Sequence, residues 1–110
     1  MFAPGDVILV DFPGVQGVKP RPAIVVSSAA YHAARPDVIV GLCTSKVAAA
    51  TAPTDYAPQD WAAAGLKVPT AYRSFFATIP AATVHRLLGH VTDRDWAEIQ
   101  ARLRLALAVT

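Results

Sequence analysis

GDVILVDF, Gly5 to Phe12, alternates along the chain. Val7, Leu9 and Asp11 share one face, and Asp6, Ile8, Val10 and Phe12 share the other, the period-two pattern of a strand. PGVQGVKP, Pro13 to Pro20, interrupts it with two glycines and reads as a turn or short loop. RPAIVVSS, Arg21 to Ser28, is a second strand whose unbroken apolar run predicts burial on both faces. AAYHAARPD breaks the pattern and ends at an X–Pro pair, and VIVGLCTSKV, Val38 to Val47, is a third strand. AAATAPTDYAPQD reads as an irregular excursion carrying a short strand around Thr54 to Tyr56, and WAAAG, Trp61 to Gly65, as one helical turn stopped by glycine. LKVPTAYRSFFATIP mixes a strand with a short turn, and HRLLGHV, His85 to Val91, is the last strand.

From Thr92 the period changes. Trp96, Ile99, Leu103 and Leu107 recur at helical spacing and form a packing face. Thr92 is a suitable N-cap, with Asp95 placed to complete a capping box. Asp93, Asp95 and Glu98 lie towards the positive end of the dipole, and Arg102 and Arg104 towards the negative end. Short strands punctuated by Pro and Gly and closed by one helix predict a mainly β fold, a small β-barrel with a C-terminal helix. The length, 110 residues, is that of a single domain, residues 1–110.

Composition adds a few limits. A hydrophobic share of 54% supplies a core, yet no run is long enough to span a membrane. MFAPGDV has neither the basic start nor the apolar middle of a signal peptide, and the single Cys43 excludes an internal disulfide; both favour a cytoplasmic location. The net charge of +2 does not mark a nucleic-acid binder by bulk charge, but seven of the ten basic residues are arginines, which suit bidentate phosphate contacts. His32, His85 and His90 have no carboxylate or cysteine at ligand spacing, so no metal is expected, and His85 and His90 read as surface or barrel-edge residues. No phosphate loop or dinucleotide fingerprint is present, so no cofactor is expected either. Cys43 lies inside an apolar strand and reads as a small buried hydrophobe.

The polar residues that remain stand at strand ends. Arg21 lies between Pro20 and Pro22, each of which stiffens the backbone towards extended geometry. Thr44, Ser45 and Lys46 close the third strand. If the second and third strands are antiparallel neighbours, Arg21 and Thr44 meet at one rim, where an arginine fork beside hydroxyls and a lysine suits a phosphate.

GDVILVDFPGVQGVKPRPAIVVSS closely resembles the opening of the MazF/PemK-like toxin family, in which a Gly-Asp-Val strand, a Gly-rich loop and an Arg-Pro strand follow in this order. GLCTSK resembles the family's third strand, and VPTAYRSFFATIP with HRLLGHVTDRDWAEIQARLRLAL its later strands and closing helix. The resemblance implies an SH3-like barrel, usually a homodimer, that cleaves single-stranded RNA without metal and is held inactive by a cognate antitoxin. It also implies Arg21 and Thr44 as catalytic residues. Lys19, Ser45, Lys46 and Arg73 are the basic and hydroxyl residues expected to contact RNA. The chain departs from the family in RSFF before ATIP, in a short first loop whose one charge is Lys19, and in the excursion from Ala48 to Trp61. Arginine is not deprotonated in proteins, so Arg21 is expected to stabilise charge rather than act as a base. Asp11 reads as a solvated turn residue, and the base is left unassigned. Two alternatives share the fold. One is a toxin aimed at a protein such as gyrase, like the CcdB relatives with a Trp-bearing tail. This chain instead ends LALAVT, with Trp96 at a core position early in the helix. The other is an inactive binding barrel, against which both Arg21 and Thr44 stand.

Overall fold

The computed structural model describes residues 1–12 and 19–109; most of the expected first loop, residues 13–18, lies outside them. Five strands form one antiparallel sheet: β1 (Asp6–Val10), β2 (Arg21–Val25), β3 (Asp37–Thr44), β4 (Ala71–Pro80) and β5 (Arg86–His90). Their order is β4-β3-β2-β1-β5. A short helix α1 (Ala29–Ala34) joins β2 to β3, and helix α2 (Asp93–Ala106) closes the chain.

Both faces of the sheet are buried, as the apolar run of β2 predicts. On one face Ile8, Val10 and Phe12 pack with Ala23, Val25, Val38, Val40, Leu42 and Ile79. On the other, Val7, Ile24, Cys43 and Tyr72 pack with Ala64, Leu66, Val91 and Ile99, so that α2 and the segment before β4 form a covering layer. Among the described residues neither α1 nor α2 contributes to the first cluster, and the sheet itself curls around it. Phe12 after β1 and Phe75 of β4 have ring centroids 5.3 Å apart. In a flat sheet three strand spacings, about 14 Å, would separate those strands. The result is a mainly β, SH3-like barrel that stays partly open. Among the described residues no ladder joins the edges β4 and β5, and Tyr56 covers part of the β4 edge through a two-bond bridge with Tyr72 (2.9 and 2.7 Å).

Several sequence expectations change. AAYHAA is helical rather than a break: Ser28 leaves the strand pattern and caps α1 by accepting from the Tyr31 N–H at 3.2 Å. β3 ends at Thr44 instead of Val47, because the chain turns there into a 3₁₀ turn, Val47–Ala49. The capping box at Thr92 does not form, and Leu107 is left exposed just past the helix end. Asp95 is fully buried and serves a different purpose. It accepts from the Tyr56 hydroxyl (2.5 Å) and from the backbone N–H groups of Gln59 (3.0 Å) and Asp60 (2.9 Å). The Thr92 hydroxyl and the Arg94 fork both turn to Asp60. The excursion is thereby tied to α2. The expected strand at Thr54–Tyr56 is reduced to the bridge at Tyr56.

Candidate functional site

Antiparallel pairing collects the ends of alternate strands. β1 and β3 finish, and β2, β4 and β5 begin, at the same end of the sheet. There Val10 pairs with Arg21, Leu9 with Arg86 and Thr44 with Ala71. The β2–β3 ladder runs to Ala23–Leu42, and Arg21 and Thr44 each lie two residues past that pair at the same end of the sheet. The prolines flanking Arg21 hold the guanidinium's anchor in extended backbone at that position.

Arg21 and Thr44 line a cleft of about 390 Å³. Its lining is apolar at Leu9, Pro22, Leu66 and Leu88 and polar at Lys19, Ser45, Lys67, Thr70 and Arg86. One side is the segment from Gly65 to Thr70, whose position depends on two glycines. Gly65 has φ +90°, and a Cβ there would overlap the Leu88 carbonyl. A Cβ on Gly89 would overlap the Ala64 carbonyl. The bare backbones let the helical turn at Trp61–Gly65 press onto β5, which buries Leu66 and brings Lys67 to the cleft.

The electrostatics of this wall are one-sided. Lys19, Arg21, Lys67 and Arg86 line it, and none of its residues is acidic. Among the described residues none of these four cations joins an ion pair, whereas Arg35, Arg73, Arg94 and Arg102 pair with Asp37, Asp55, Asp60 and Glu98. The Thr44 hydroxyl oxygen accepts from the Lys46 N–H at 3.1 Å, which orients it and leaves its O–H to donate outward. Burial pushes the Cys43 thiol up to about 12, so this residue serves as floor and not as a nucleophile. Such a lining suits an anion with hydrogen-bond acceptors: it offers a guanidinium fork and a hydroxyl, and no carboxylate opposes them.

Of the residues singled out from the sequence, Arg21, Thr44, Ser45 and Lys19 come together here. Lys46 does not line the cleft and reaches it only through its backbone bond to Thr44. Arg73 lies in a separate depression with Asp55, Ser74 and Phe75, its Nε 3.7 Å from Asp55. Lys67, Thr70 and Arg86 were not anticipated. Their only sequence signal was the turn at Gly65 and the start of the last strand. Asp11 lies outside the cleft, exposed, with an oxygen 3.1 Å from His85 Nε2, and His90 Nδ1 is 2.8 Å from Asp6 at the other end of the sheet. Both histidines are exposed, as expected, though each meets a carboxylate in space. Among the described residues no three His, Cys, Asp or Glu groups gather in a metal-holding cluster, and no helix is long and apolar enough to cross a membrane.

The fold and cleft together define a small curled barrel with an anion-receptive sheet end. Solved structures share this fold. A mycobacterial endoribonuclease in complex with its cognate antitoxin superposes with a TM-score of 0.80 at 22% identity, covering 100% of this chain and 98% of that one. MazE–MazF (Form-II) from Deinococcus radiodurans gives 0.74 at 19% identity, covering 98% and 96%. The Mycobacterium tuberculosis toxin MazF-mt6 gives 0.76 at 17% identity, covering 96% and 98%. No curated protein matches the chain by sequence. The family model of the PemK-like, MazF-like toxins of type II toxin-antitoxin systems matches residues 3–107, and the chain belongs to that family.

Proposed function

We propose that this chain is the toxin of a type II toxin–antitoxin pair, a sequence-selective endoribonuclease that cleaves single-stranded RNA in the Arg21–Thr44 cleft without a metal ion. The observation that carries the reading is one cleft lined by Arg21 and Thr44 together, with four cations and no acid. In the reaction the substrate's 2′-hydroxyl oxygen attacks the adjacent phosphorus and the P–O5′ bond breaks, giving a 2′,3′-cyclic phosphate and a 5′-hydroxyl. Arg21 donates two parallel hydrogen bonds to the non-bridging oxygens as their charge grows, and the Thr44 O–H holds the same phosphate in line. The 2′-hydroxyl proton passes to water at the open mouth, and the departing 5′ oxygen takes one from water. A cationic wall repels a divalent ion and offers it no carboxylate.

The working form is a homodimer, which covers apolar side chains that stand exposed on the single chain, among them Val68, Leu87 and Leu105. A cognate antitoxin silences it by placing an acidic segment over the cleft, in competition with RNA. The reading is supported by family membership and by solved relatives described as endoribonucleases, one of them with its antitoxin. Cleavage of a long single-stranded RNA in excess EDTA tests it, alongside the same strand carrying deoxyribose at the mapped cut. Cutting that persists in EDTA and stops at the deoxyribose is expected. Cutting that needs a metal or ignores the deoxyribose contradicts the mechanism.

A further inference from the structure

Arg86 opens β5 directly across from Leu9, while Arg21 opens β2 across from Val10. The two arginines therefore flank β1 on neighbouring rungs, with their backbones two strand spacings, about 10 Å, apart. Lys67 reaches the same cleft from the Gly65–Thr70 segment. Asp11, the acid closest in sequence to this part of β1, is engaged with His85, so neither Arg86 nor Lys67 has a carboxylate partner among the described residues. Leu9 and Pro22 line the same cleft, and Leu9 pairs with Pro22 on one side and with Arg86 on the other. Two separated cationic points joined by an apolar strip match a chain in which charged groups alternate with apolar rings. They do not match a single small anion.

We infer that Arg86 and Lys67 form a second phosphate site, which holds the phosphate next to the one at Arg21 and Thr44 while the intervening nucleoside lies over Leu9 and Pro22. The inference rests on the nuclease reading. Arg86 and Lys67 act as positioning residues: they set the register of the strand and touch no reacting atom.

The test is binding, separated from cleavage. A ten-nucleotide 2′-O-methyl RNA of mixed sequence, labelled with fluorescein, cannot supply the attacking hydroxyl. Its affinity is read by anisotropy over a range of salt concentrations. For the parent, log Kd should rise linearly with log salt. Arg86→Gln with Lys67→Gln should weaken binding about tenfold at low salt and flatten the slope by roughly 0.7, the change for one phosphate contact on a single strand. Arg86→Lys, which keeps the charge, should keep the parental slope, as should Arg35→Gln at the far end of the sheet. A double variant with parental slope, whether its affinity changes or not, overturns the second site and leaves the nuclease reading intact. A parent that does not bind the strand overturns the nuclease reading itself.

Discussion

At the end of the sheet where β1 and β3 finish, Lys19, Arg21, Lys67 and Arg86 line one cleft with no acid in its wall. At the opposite end Asp6 is tied to His90 at 2.8 Å and Asp37 to Arg35 at 2.8 Å. The residue types are similar, but the pairing is not. A paired surface charge has its field cancelled locally and contributes little beyond its own contact. Unpaired like charges around one cavity raise each other's cost, and only a partner that brings negative charge offsets it. Four like charges left unpaired around one cleft, with no acid in its lining, point to an external ligand. The third group of charges, Asp60, Arg94 and Asp95, is structural: it ties the excursion to α2 and so fixes the segment that walls the cleft.

The sharpest way to break this contrast is at Arg21. Arg21→Ala should slow RNA cleavage at least a hundredfold, about 3 kcal/mol of transition-state stabilisation, with the barrel still folded by circular dichroism. Asp95→Ala should act on the fold instead. It strands the Tyr56 hydroxyl and two backbone N–H groups and should cost about 3 kcal/mol in urea unfolding. Gly65→Ala forces a side chain into positive φ against Leu88. It should cost roughly 2 kcal/mol and reduce cleavage too, since Lys67 moves with that turn. A smaller effect is expected in acid. The Arg94 and Thr92 bonds hold the Asp60 carboxyl down at about 2, against an ordinary 3.8. A depressed carboxyl supplies stability that is fully present above its unfolded value and is lost as pH falls through the folded one. Melting temperatures between pH 5 and pH 2 should therefore fall less steeply for Asp60→Asn than for the parent across that window. The smallest effect belongs to the far end: Arg35→Ala should leave cleavage unchanged and stability within about 0.5 kcal/mol.

Much of the fold was legible because strand alternation and helical spacing are local signals. The faces of β1, the double burial of β2 and the packing of Trp96, Ile99 and Leu103 follow from side-chain order alone. The meeting of Arg21 and Thr44 was legible too, once β2 and β3 were taken as neighbours. What stayed hidden depends on contacts between distant segments. Asp95 in the first turn of a helix reads as a dipole partner, and only the arrival of Gln59 and Asp60 turns it into a buried anchor. Lys67 and Arg86 carry no shared spacing and are joined only by the close packing of Gly65 and Gly89. Arg73 looked equivalent to the other cations until the excursion supplied Asp55.

The central claim is that the cleft works through a directed fork at Arg21 set against Thr44, and not through positive charge alone. Arg21→Lys tests it most directly, because the charge is kept while the two parallel donors are lost. The measurement is the single-turnover rate on a fluorescent single-stranded RNA in excess EDTA, beside the parent protein at equal concentration. The account predicts a rate at least a hundredfold below the parent, with an unchanged circular dichroism spectrum. A folded Arg21→Lys protein that cleaves at the parental rate would contradict it.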